Sequence, residues 1–169
     1  MFSLMVGEIY CVNKNSFFLY IMVDYLLSEV FVPGNDLISK AVLTDDRIIN
    51  IICKNLQDQY MAVPNESLNK SAFDVVYRPK MALSEYPPII IEIQENVNDE
   101  YMPPVERYST LAFEKYSKCR IILIIDVSTV ITSVSSKLAP VISCPYSFKV
   151  PCLFWAKCCL LISSMTLSG

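Results

Sequence analysis

PPIIIEIQEN, residues Pro87 to Asn96, is the stretch from which the fold of this chain is read. Pro87-Pro88 leads into an extended run, and three isoleucines precede Glu92, Ile93 and Gln94. Side chains alternate across a strand, so Glu92 and Gln94 share one face while Ile91 and Ile93 take the other. A carboxylate and an amide on so apolar a strand are costly unless something uses them. Upstream, Ala72-Phe73-Asp74-Val75-Val76-Tyr77 is a second strand-like run. Lys80 to Tyr86 reverses the chain between the two, a reasonable length for an antiparallel hairpin. Asp74 and Glu92 are then expected on neighbouring strands, within reach of one cation. Glu95 points to the face opposite Gln94 and takes no role.

Downstream, Asn98 to Tyr101 is a polar link, and Pro103-Pro104 fits a helix start, where a missing N–H costs little. Val105, Tyr108, Leu111, Ala112 and Tyr116 give that helix an apolar face running to about Lys118. The run IILIID within Arg120 to Val127 predicts a strand buried on both faces. On the other side, Val32-Pro33-Gly34-Asn35-Asp36 reads as a turn, and apolar residues then recur at helical spacing. Asp45 is placed to begin a second helix running to about Leu56. Gln57 to Ser71 is polar and reads as loop. The expected fold class is α/β, with a mixed central sheet flanked by helices. Its order is helix, antiparallel strands near 72–79 and 88–95, helix near 104–118, and strand near 120–127.

Three regions follow: an apolar extension over 1–32, a core over 33–130 and a C-terminal segment over 131–169. Within the first, Ser16 to Leu27 is too short to span a bilayer and is interrupted by Asp24. In the last, Thr129 to Ser136 is Ser/Thr-rich and reads as loop. The apolar Phe148, Phe154, Trp155 and Cys158 to Leu161 read as a final strand and helix, or as the sticky end of an incomplete gene product. The apolar ends are also the surfaces through which copies would self-associate.

Composition removes whole classes of chemistry. With 169 residues the chain is large enough for one domain with a real core. It is 53% hydrophobic and 18% charged, which calls for much buried sheet or for apolar surface that meets a partner or membrane. The net charge of -3 argues against indiscriminate binding to phosphate backbones, though not against a local basic groove. No histidine is present, so no Ser-His-Asp triad, Cys-His dyad or His-ligated metal exists. The three glycines, Gly7, Gly34 and Gly169, make neither a P-loop nor a dinucleotide fingerprint, so no nucleotide cofactor is expected. The seven cysteines are odd in number and scattered, without a C-x-x-C pair. They read as reduced thiols of a nuclear or cytoplasmic protein, none of them catalytic.

An acid, a hairpin turn, E-x-Q on the next strand, a helix and another strand: that order resembles the PD-(D/E)XK nuclease superfamily. It is most similar to the branch with glutamine in the last motif position, the recombination-promoting nuclease and transposase-like proteins of mobile elements. The resemblance spans about Asn35 to Ile125 and implies a restriction-endonuclease-like core. It implies a Mg²⁺- or Mn²⁺-dependent site that hydrolyses DNA. Asp74, Glu92 and the Ile93 backbone carbonyl would hold the metal, and Gln94, where the parent motif has lysine, would hold the attacking water. Glu106-Arg107-Tyr108 resembles the helix that follows the motif, which places Arg107 near the phosphate with Tyr108 beside it. Asn35-Asp36-Leu37-Ile38-Ser39-Lys40 resembles an early N-D-x-x-x-K helix, with Asp36 as an outer carboxylate and Lys40 as its partner. Ser39 stands where that pattern has an aromatic residue. Two other readings stay open: a non-catalytic interaction module of the same fold, and a small membrane-associated protein supported by the apolar ends alone.

Overall fold

The computed structural model describes residues 42–53, 57–64, 74–82, 84–142 and 144–163. Helix α1 (Asp46–Ile52) starts where Asp45 caps it, its carboxylate accepting the Arg47 N–H at 2.8 Å. The Arg47 guanidinium donates to the same carboxylate and holds the Asp45 carboxyl down at about 2. Ile48, Ile49 and Ile52 form the buried side of α1. The N-terminus expected from Asp45 is therefore found, and the helix closes at Cys53 rather than near Leu56.

Seven strands make one sheet among the described residues: β1 (Tyr60–Pro64), β2 (Val75–Pro79), β3 (Ile89–Val97), β4 (Ile121–Val130), β5 (Ala139–Val141), β6 (Cys144–Val150) and β7 (Cys158–Ser163). Their spatial order is β1-β2-β3-β4-β7-β6-β5. The first three strands run antiparallel, β3, β4 and β7 are parallel neighbours, and β6 and β5 return antiparallel. Parallel neighbours need a crossover, and α2 (Met102–Tyr116) supplies it between β3 and β4. α2 ends at Ser117, which adopts the left-handed conformation (φ 50°) while its N–H donates to the Phe113 carbonyl at 2.7 Å. The single turn α3 (Thr132–Ser135) follows β4.

The two faces of the sheet carry separate cores. Val75, Ile91, Ile93, Leu123 and Leu160 pack with Ile48, Ile49 and Ile52 of α1. Val76, Ile90, Ile122, Ile124 and Leu161 pack with Val105 and Ala112 of α2 and Val134 of α3. Each such side chain withdrawn from water contributes about 1.5–3 kcal/mol. Two buried tyrosines stitch the first core to backbone: Tyr60 donates to the Pro87 carbonyl at 2.9 Å and Tyr77 to the Leu43 carbonyl at 2.6 Å.

The mixed α/β architecture, the antiparallel pairing of β2 with β3, the helix and the strand after it match the sequence reading. Three differences have physical causes. β1 lies in the stretch read as loop; it is a short edge strand ending in Pro64, with Met61 exposed, so its pattern is weak. β4 continues through Val130 because, past a bulge, Asn96 and Val97 of β3 pair with Thr129 and Val130. The C-terminal segment completes the sheet: β7 sits between β4 and β6, and every residue from Cys158 to Ser163 is buried. The helix that its composition also allowed is absent from the described residues. Asp36, Lys40 and residues 1–32 lie outside the described residues. Among those described, no helix is long and apolar enough to cross a membrane.

Candidate functional site

Alternation along the strands sets the site. Ile90, Ile122, Ile124 and Leu161 belong to the α2-side core, so Glu92, Gln94, Asp126 and Ser163, at even spacing from them, share that face. On β2, Val76 faces the same side, and Asp74 immediately precedes the strand. Val75 pairs with Ile91 where the β2–β3 ladder ends, which brings Asp74 next to Glu92 and Ile93 of β3. One step along β3, Gln94 pairs with Asp126 of β4, and Asp126 pairs with Ser163 of β7. A polar row thus crosses three adjacent strands, β3, β4 and β7, on the side covered by α2, with Asp74 beside it at the start of β2.

Asp74 is 3% exposed, and its Oδ2 accepts the Ile93 N–H at 2.8 Å. This carboxylate continues the β2–β3 ladder with a side chain where the backbone of β2 ends. In a strand the carbonyl of a residue shares the edge of its N–H, so the Ile93 carbonyl opens toward the same edge. Glu92 is half-buried. Gln94 is half-buried, with its Nε2 donating to the Asn96 carbonyl at 3.4 Å.

Sequence reasoning gave Asp126, Tyr101 and Ser163 no role, and all three belong to this neighbourhood. Asp126 is 1% exposed; its Oδ2 accepts from Ser163 Oγ at 2.8 Å. Burial pushes its carboxyl above the ordinary carboxylate range, against the pull of the Ser163 hydroxyl and the Ser128 and Thr129 amides. The signal was present in IILIID, an acid ending a strand buried on both faces. Tyr101 precedes α2, and its phenol is raised well above the usual value by burial, then by the charges of Glu92, Cys159 and Asp74. The residue packs against the α2-side core, the face of the sheet that Glu92 shares. The Tyr101 hydroxyl and Asp126 Oδ1 are buried with no hydrogen-bond partner among the described residues.

Arg107 is exposed, and two residues past buried Val105 it lies about 200° around α2, turned off the sheet. Tyr108 is half-buried and packs against the α2-side core. Nearby, Asp99 accepts from Ser133 Oγ and pairs with Lys137 at 3.4 Å, tying the loop before α2 to α3. Burial pushes the thiols of Cys53 up to about 12 and of Cys158 up to about 11, while Cys119 is exposed.

No protein-family model, curated protein or solved structure matches this chain.

Among the described residues no three of Asp, Glu and Cys gather closely enough to hold an ion between them. A cage built wholly from side chains is thus not what the described row offers. Mg²⁺ asks for less, one or two carboxylates with the remaining positions kept by water. Asp74, Glu92 and the Ile93 carbonyl would supply the few protein oxygens that such a hydrated ion needs.

Proposed function

We propose that this chain is a divalent-metal-dependent endonuclease-like domain that hydrolyses phosphodiester bonds in DNA, related to mobile-element nucleases. The carrying observation is that Asp74, just ahead of β2, accepts the Ile93 N–H next to Glu92 on β3, with Gln94 two residues on along the Glu92 face. The element order supports a restriction-endonuclease-like core: helix, hairpin with the acid and E-x-Q, crossover helix, parallel strand. Asp74, Glu92 and the Ile93 carbonyl would hold Mg²⁺ or Mn²⁺. The metal when bound would lower the pKa of a water and offset charge on the phosphate. Gln94 accepts and donates hydrogen bonds and would orient that water. Arg107, Tyr108 and, outside the described residues, Asp36 and Lys40 are the flanking candidates. Arg107, which the resemblance places near the phosphate, is exposed but turned off the sheet, away from the row. The buried thiols accord with a nuclear or cytoplasmic setting.

The test is nicking of supercoiled and single-stranded DNA with Mg²⁺, Mn²⁺ or chelator. Glu92→Gln is expected to abolish cutting, and Gln94→Lys to preserve or raise it by restoring the parent motif. A wild type and a Gln94→Lys variant that both leave DNA intact would sink the catalytic reading. A non-catalytic module of the same fold would then stand. The burial of Asp74 favours that second reading.

A further inference from the structure

At the sheet edge opposite the acid row, three connections are tied together. Lys118 Nζ donates to the Ala82 carbonyl at 3.2 Å and to the Ser84 carbonyl, fastening the β2–β3 connection to the end of α2. The Lys157 N–H donates to the Arg120 carbonyl at 2.9 Å, fastening the β6–β7 turn to the start of β4. Arg120 is buried, and its Nε donates to Ser109 Oγ at 2.6 Å; that hydroxyl donates in turn to the Trp155 carbonyl. Within the turn, the Trp155 and Ala156 N–H groups both point at the Cys152 carbonyl, at 3.4 Å. Trp155 packs against the α2-side core.

On this frame Leu153 and Phe154 stand in solvent, 88% and 98% exposed, with Met81 on a neighbouring connection at 67%. Single exposed apolar side chains are ordinary. Adjacent large ones at the tip of a pinned turn are not, because the hydrogen bonds hold them away from the core. Cations outnumber acids on the connections around them. Lys149 and Lys157 flank the turn, and Arg78 and Lys80 are exposed at the end of β2. From residue 127 to 163 the chain has lysines and no acid at all. Exposed acids at this end are Asp58 just before β1, Glu85 on the β2–β3 connection and Glu114 in the last turn of α2. The chain as a whole is at -3, so the positive character is local.

We infer that this edge docks on an anionic lipid surface, with Leu153 and Phe154 entering the boundary between headgroups and acyl chains and the flanking cations meeting lipid phosphates. That surface is the partner that uses both features at once. Apolar tips partition into the interface, and lysines near it gain from its negative potential. A nucleic-acid backbone would use the lysines and leave Leu153 without a role. The inference goes beyond the nuclease reading and does not depend on it.

The experiment is co-sedimentation of the full chain with vesicles of phosphatidylcholine alone and of phosphatidylcholine mixed with phosphatidylserine. Wild type should pellet with the serine-containing vesicles and not with the neutral ones, and added salt should release it. The Leu153→Ser/Phe154→Ser variant should lose roughly tenfold or more in partitioning while melting as wild type does. Lys149→Glu/Lys157→Glu should lose most of the preference for anionic lipid. Residues 1–32 are common to all variants, so the differences report this edge. Wild type that stays in the supernatant with both vesicle types overturns the inference. So does Leu153→Ser/Phe154→Ser pelleting like wild type, or equal binding of wild type to neutral and anionic vesicles. A wild-type dimer that this variant disperses, without vesicle binding, replaces lipid with a second copy of the chain.

Discussion

Asp74 carries a structural duty along with the proposed chemical one. Its carboxylate takes the Ile93 N–H in a buried position, so Asp74→Ala leaves an amide unsatisfied. The expected cost is about 1–3 kcal/mol in urea unfolding, and Asp74→Asn, which keeps an acceptor oxygen, should cost less. Equal stability of wild type and Asp74→Ala would show that the bond contributes nothing. Glu92→Gln is for that reason the cleaner probe of metal binding. Asp126 gives a pH test. Burial raises its folded-state pKa above the ordinary 3.8, so the folded form holds the proton longer than the unfolded form. Stability from that proton is present at low pH and is lost as pH rises through the folded pKa. Asp126→Asn removes the titration, so its stability relative to wild type should rise with pH from about 4 upward and then level off. Denaturant curves at a series of pH values check this, and a flat difference contradicts it.

Among the elements, those with strong periodicity were legible and those defined by partners were not. Ile89 to Ile93 and Ile121 to Ile125 announce buried strands by composition, and Val105, Tyr108 and Ala112 announce a helix face. Asp74 and Glu92 could be placed as neighbours because a short hairpin sets β2 against β3. β1 was hidden because an edge strand needs little burial of its own. The Asp126–Gln94 and Asp126–Ser163 pairs were hidden because parallel register depends on how α2 and the later strands pack, and adjacent residues do not encode that. The chain Arg120–Ser109–Trp155 shows the same limit, since it joins β4, α2 and the β6–β7 turn. Ser109→Ala should leave the buried Arg120 Nε without its acceptor and cost roughly 1–3 kcal/mol. Thermal unfolding of that variant checks it, and an unchanged midpoint would mean the guanidinium finds another partner.

At the largest scale the described residues are organised around one sheet that is completed late in the chain. β4 needs β7 as its second neighbour, and without it both apolar faces of Ile121 to Ile125 lose cover along one side. A chain ending at residue 130 should therefore fail to unfold cooperatively and should bind a dye for exposed apolar surface; a sharp transition from that fragment would contradict the account. Charge is polarised across the same sheet, with Asp74, Glu92 and Asp126 near one end and Arg78, Lys80 and Lys157 near the other. The proposed chemistry and the proposed lipid contact thus fall on opposite edges and can be tested separately. The central claim is that Asp74 and Glu92 form one cation site, and direct titration of the protein with Mn²⁺ by calorimetry reads it most simply. The account predicts saturable binding to wild type that is lost in Glu92→Gln while the fold is retained. Saturation should raise stability by about 2.7 kcal/mol when free ion reaches a hundredfold excess over Kd. Absence of saturable binding to wild type, or identical binding to Glu92→Gln, would contradict it.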